Sequence, residues 1–191
     1  MKGLLGIFWT FCLFLIFLGC NPAKIDSEKY YFEDFKISND TCKVVSFGSY
    51  FYTCYGEFRN PLELQNRYLI EKELIHLNSD NFKIDTLYRI VKGNSFIKYI
   101  YGHSPEEAAL MQIVSARIIG SELSMTNGLK IGMSKSSALK MLFGKKYNAN
   151  LRKVNNYQII TSLDGLWINL EFNKNRLSKI SINSDYQVNQ E

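Results

Sequence analysis

Side chains able to serve as nucleophile, base or metal ligand are few in this chain of 191 residues, and they are poorly spaced for joint work. The two histidines, His76 and His103, lie far apart in sequence, so neither has the neighbour that a zinc site or a general-base pair requires. Ser134-Lys135-Ser136-Ser137 sets a hydroxyl beside an amine, but side chains on a helix meet at spacings of three or four, not one. Ser134 is accounted for as a helix cap. The adjacent pair Glu106-Glu107 fails the same geometric test and suits the positive end of a helix dipole instead. The glycines of Gly128-Leu-Lys-Ile-Gly-Met-Ser134 lack the spacing and the closing Lys-Ser or Lys-Thr of a phosphate loop. We therefore expect no catalytic residue, no metal and no cofactor.

The N-terminus is more informative. Lys2 is the only charge ahead of an apolar run from Leu4 to Leu18. Those residues extend about 22 Å as a helix, short of the roughly 30 Å needed to span a bilayer, and a basic start before a short apolar run is an export signal. The closing Phe17-Leu18-Gly19-Cys20 resembles the lipobox of bacterial lipoproteins, in which a small residue precedes an acylated cysteine. The resemblance implies a signal peptide over 1–19 and Cys20 as the mature, lipid-bearing N-terminus. More than one acyl chain, each buried methylene giving about 0.8 kcal/mol, then holds the protein to the membrane. Asn21 stands where aspartate would direct retention at the inner membrane, so the expected location is the cell envelope, at the outer membrane where the host has both. Polar residues 20–29, with Pro22, read as the tether.

Export bears on the remaining thiols. Cys12 leaves with the signal, and Cys42 and Cys54 form an even pair in an oxidising compartment. Two strand-like runs flank Gly48-Ser49, and a hairpin centred on Gly48 places Cys42 directly opposite Cys54. Opposed residues in an antiparallel pair lie about 4.5–5.5 Å apart, within reach of a disulfide. A structural bridge worth about 2–4 kcal/mol is the expectation, with two buried thiols as the alternative.

Removing the signal leaves 172 residues and lowers the formal charge from +5 to +4, a mild excess that favours solubility and argues against nucleic acid as a partner. The twelve tyrosines and thirteen phenylalanines suit strands and core packing. The fold class expected is α+β, with antiparallel sheet packed against one or two short helices, divided into a β-rich region over 30–103 and an α+β region over 104–191. In the first region strands are predicted over 30–38, 42–47, 50–58, 83–92 and 95–101, with Lys92-Gly93-Asn94 as a turn. Residues 62–78 fit a helix or a strand. Ser104-Pro105-Glu106-Glu107 is a capping box that predicts a helix running on through residues 108–116.

Ser134 caps a second predicted helix, with Ala138, Leu139, Met141 and Leu142 as its apolar stripe and Gly144 as its stop. Strands are predicted near 152–161, 166–173 and 177–183, with Asp164-Gly165 as the first turn. Pairing Leu170 with Ile180 and Ile168 with Ile182 implies an odd-length loop at Lys174-Asn175-Arg176 and one apolar face toward the helix.

The steps Gly132-Met133-Ser134 and Leu142-Phe143-Gly144 make residues 128–182 resemble the helix-plus-sheet units of outer-membrane assembly lipoproteins of the SmpA/OmlA type and of β-lactamase inhibitor-like proteins, units also found in uncharacterised lipoproteins of Bacteroidetes-like organisms. Phe143 and Lys145 depart from the usual pattern. The resemblance implies protein-protein binding in the envelope and carries over no catalytic residue. The expected function is thus a non-enzymatic lipoprotein that binds another envelope protein, as an assembly accessory or an inhibitor-like module. A lipid- or glycan-binding module is the alternative. Exposed aromatic and basic residues are the candidate contacts, namely Lys146, Tyr147, Tyr157 and Trp167, beside a basic cluster of Lys145, Arg152 and Lys153. Trp167 projects away from Ile168, either free for binding or covered by the first region.

Overall fold

The computed structural model describes residues 32–76, 84–101, 111–161 and 165–185. Cys20, His103, Glu106 and Glu107, with the predicted signal, tether and capping box, lie outside them. The class is α+β: strands β1 (Phe32–Ser38), β2 (Thr41–Ser46), β3 (Ile70–His76), β4 (Ile84–Lys92), β5 (Ser95–Tyr101), β6 (Gln112–Ile118), β7 (Asn156–Thr161), β8 (Leu166–Asn173) and β9 (Arg176–Ser184) accompany helices α1 (Pro61–Arg67) and α2 (Lys135–Phe143). All nine strands join one sheet in the order β1-β2-β7-β8-β9-β6-β5-β4-β3. Every neighbouring pair is antiparallel except β2 and β7, which run parallel. Because β6 pairs β5 on one side and β9 on the other, the sheet runs continuously from the first sequence region into the second.

Local sequence explains much of this. In α2 the Ser134 hydroxyl accepts from the Ser137 amide at 3.2 Å. Lys135, Ala138, Leu139, Leu142 and Phe143 then form the buried stripe. The helix stops at Gly144, whose φ of 50° and ψ of −121° suit a residue without a Cβ. The ambiguous stretch 62–78 divides. Asn60 caps α1 by accepting from the amides of Leu62 and Glu63 at 3.0 and 3.2 Å, with Pro61 at the first helical position. From Ile70 the chain is drawn into a ladder with β4, which outweighs its helix propensity.

Pairing of Ile168 with Ile182 and Leu170 with Ile180 is as predicted. The connection differs. Lys174 and Asn175, at φ 47° and 58°, form a two-residue turn of the I′ kind. The odd residue is Ser178, bulged out of β9 between Leu177 and Lys179, with its hydroxyl donating to the Glu171 carbonyl at 2.8 Å.

Three expectations are corrected. Residues 50–58 are not a strand: Ser49–Tyr52 is a 3-10 turn. Phe51, Tyr52, Cys54, Tyr55 and Phe58 are all buried, and the segment bonds to loops, with the Thr126 amide donating to the Cys54 carbonyl at 2.7 Å and the Met111 amide to the Phe58 carbonyl at 2.6 Å. Aromatic residues that read as a strand are instead a plug in the core. The hairpin around Gly48 therefore does not form, and β2 pairs with β1 and β7. Cys42 lies opposite Ile37 and Tyr157, and both Cys42 and Cys54 are free, buried thiols. Finally, residues 112–116, predicted as helix, belong to strand β6, because Ile113, Ala116 and Ile118 face the core between β5 and β9 across a bulge at Val114.

The core lies on one face of the sheet. Leu64 of α1 and Ala138, Leu139, Leu142 and Phe143 of α2 pack there with Ile90, Tyr99, Ile113, Ile159, Ile168, Leu170, Ile180 and Ile182. The other face buries a small cluster of Leu87, Ile100 and Val114.

Candidate recognition surface

The alternation that turns Ile159, Ile168 and Ile182 toward the helices turns Ile160, Trp167 and Asn183 the other way. Register extends this into rows running perpendicular to the strands. One row runs Val45, Ile160, Trp167, Asn183, Ser115, Lys98, Arg89 and Glu71, each directly opposite the next. Val45, Ile160 and Trp167 are half-buried and apolar on three consecutive strands, a stripe centred on Ile160 that meets Glu33 of β1 beyond Val45 and ends at Trp167 on the other side. Its far end is closed by ion pairs, Arg89 to Glu71 at 2.7 Å and Lys98 to Glu73 at 3.3 Å, with the Arg89 guanidinium 5.2 Å over the Phe96 ring. A parallel row runs Lys36, Lys43, Gln158, Asn169, Ser181, Arg117 and Phe96. Beyond it Glu171 stands opposite Lys179, their side chains 2.7 Å apart.

The four proposed contacts do not share one surface. Trp167 is on the face just described. Tyr147 lies on the helix side, its hydroxyl 3.3 Å from that of Ser136 and its ring under Lys140 at 5.9 Å. Lys146 is also held on that side, its ammonium donating to the Phe32 carbonyl. Tyr157 is not available for contact at all, being 1 % exposed. Its hydroxyl donates to the carbonyls of Leu151 and Val154, and burial raises its pKa. The reason is parity: an odd position on β7 shares the face of Ile159, and an aromatic residue there is core.

A polar chain from the buried Lys135 to the exposed Asn155 and Asp40 joins the first hairpin to α2, and the sequence did not single it out. Lys135 is 4 % exposed, donates to the Asn155 side-chain oxygen at 2.9 Å and lies 5.8 Å over the Phe172 ring. Asn155 in turn donates its amide to the Asp40 carboxylate at 2.7 Å. Burial lowers the Lys135 pKa, with Asp40 opposing and Arg152 adding to the shift. The Lys-Asn-Asp chain links α2 to the turn between β1 and β2 as a brace. Cys54, Tyr55 and Tyr99 form a buried group, all raised in pKa by burial, and among the described residues the Tyr55 and Tyr99 hydroxyls have no hydrogen-bond partner.

Among the described residues no group of three His, Cys, Asp or Glu side chains could hold a metal, and no helix is long and apolar enough to cross a membrane. His76 ends β3, opposite Ile84. The fold and this surface define an α+β module with one helix-covered sheet face and one patterned face. In comparison with known proteins, no family model, no curated protein and no solved structure matches the chain.

Proposed function

We propose that the protein is a non-enzymatic, lipid-anchored binding module of the cell envelope, and that it engages another envelope protein through the sheet face bearing Trp167. The observation that carries this reading is the apolar stripe Val45, Ile160 and Trp167, half-buried on the face opposite both helices and flanked by a row of polar and cationic side chains. An apolar centre with a polar rim and an aromatic anchor is the anatomy of a protein interface. The N-terminal signal and Cys20 support placement at the membrane surface, and the Gly132-Met133-Ser134 step supports the kinship in role with assembly lipoproteins.

The test is in-cell photo-crosslinking of the full-length chain from positions 160 and 167, with position 147 on the helix side as the control. One protein adduct of defined size from 160 and 167, absent from 147, is the expected result. No protein adduct from either position, or equal trapping from position 147, refutes the reading. Lipid or glycan adducts in place of protein support the alternative module.

A further inference from the structure

The row beside the apolar stripe has a feature that the fold does not require. Lys36 and Lys43 stand directly opposite each other on the antiparallel pair β1 and β2, both exposed. Like charges in that relation oppose strand pairing. The row continues through Gln158, Asn169 and Ser181 to the exposed Arg117, and it contains no carboxylate. Among the described residues Lys36, Lys43 and Arg117 form no ion pair, whereas Arg89, Lys98 and Lys179 on the same face each have a glutamate within 4 Å. At a strand spacing of about 4.8 Å, the five steps from β1 to β6 make this donor row about 24 Å long. Cationic, amide and hydroxyl groups remain open along it, bordering the half-exposed Trp167.

Resting on the function proposed above, we infer that the partner is an acidic protein surface, with an apolar element seated on Val45, Ile160 and Trp167 and carboxylates laid along Lys36, Lys43 and Arg117. Two charges that repel in the free protein are relieved when a carboxylate lies between them, so the row is most favourable when occupied. Arg117 at the far end can take a carboxylate through two parallel N–H groups, and Gln158 and Asn169 can each donate to one. The contiguous apolar stripe favours a polypeptide over an acidic polysaccharide, whose hydroxyls gain nothing from Val45 and Ile160. Opposed rows of charge also steer encounter and make binding weaken with salt.

The experiment uses the lipidated chain from Cys20 onward in mild detergent, in which Trp167 is the sole tryptophan because Trp9 lies in residues 1–19. Poly-L-glutamate, polygalacturonate and phosphatidylglycerol vesicles are titrated against Trp167 fluorescence at several salt concentrations. The expected result is a saturable, salt-sensitive response to poly-L-glutamate, weakened about tenfold or more by Lys43→Glu with Arg117→Glu and unchanged by Lys140→Glu on the helix side. The inference is overturned if poly-L-glutamate gives no response, if the double charge reversal leaves the response intact, or if polygalacturonate or vesicles bind more tightly. Protein adducts from positions 160 and 167 that persist under any of these outcomes leave the binding-module reading standing. Loss of both refutes the two together.

Discussion

Raising the pH should unfold this protein through acidic groups buried in its core. Cys54, Tyr55, Tyr99 and Tyr157 are each at most 7 % exposed, and burial raises the pKa of all four. An acid whose pKa is higher folded than unfolded stabilises the fold below its unfolded value, and that stability is lost as pH rises through the interval between the two. The loss is about 1.4 kcal/mol per pH unit for each group. Above about pH 8.5 the thiols of Cys54 and Cys42, both raised by burial, begin to remove stability, and above about pH 10 Tyr55, Tyr99, Tyr157 and Tyr88 join them. Lys135 works in the other sense: its lowered pKa makes stability rise with pH until the ordinary lysine value near 10.4, by at most about 1.4 kcal/mol per unit. The buried thiols and tyrosines outnumber it, so the net effect of raising pH above 10 is a loss of stability. Urea midpoints followed by circular dichroism at pH 8, 9, 10 and 11 measure the slope, and tyrosinate absorbance reports the ionisation. The absorbance of the buried tyrosines should appear only with unfolding. Tyr55→Phe with Tyr99→Phe removes two hydroxyls that have no partner among the described residues, so it should leave neutral-pH stability nearly unchanged and flatten the slope above pH 10, by at most about 3 kcal/mol per unit. Complete tyrosinate formation near pH 10 in a chain that stays folded would refute the reasoning.

Three further outcomes follow from the packing. Tyr157→Phe strips the carbonyls of Leu151 and Val154 of a buried donor and should lower stability by about 1–3 kcal/mol in urea denaturation, while leaving the accessibility of Trp167 to a soluble quencher unchanged. Leu139→Ala opens a cavity under α2, where the leucine is fully buried, and should cost about 2–5 kcal/mol; a loss below 1 kcal/mol in the same assay would mean that α2 does not pack on the sheet as described. Asp40→Ala removes the carboxylate that holds Asn155 and faces Lys135. Hydrogen exchange should then accelerate in β1 and β2 ahead of β8 and β9, and uniform acceleration across the sheet would contradict the brace.

Where signals are local, the sequence could be read directly. Ser134 as cap, Gly144 as stop, the turn at Gly93 and the facing of Leu170 and Ile180 all rest on residues within about ten positions of each other, where capping chemistry, backbone sterics and a two-residue period act without help from the rest of the chain. The α+β class followed from the same patterns. The bulge at Ser178 escaped detection because an odd residue can be absorbed in a turn or in a strand, and only the pairing decides which.

Contacts between distant segments decided the rest. The plug formed by Phe51, Tyr52, Cys54, Tyr55 and Phe58 has strand-like composition, yet its backbone is satisfied by Met111 and Thr126, more than fifty residues away. Residues 112–118 have helix-compatible spacing, but the gap between β5 and β9 makes them a strand. The parallel pairing of β2 with β7 separates Cys42 from the hairpin that would have met Cys54. It also aligns Lys43 with Gln158 and Val45 with Ile160, so the rows on the second sheet face come into being only when strands from both halves of the chain lie side by side. The residue types on that face are written in the sequence, but their adjacency is a product of long-range register, because burying the opposite face against α1 and α2 fixes which strands meet and in what order.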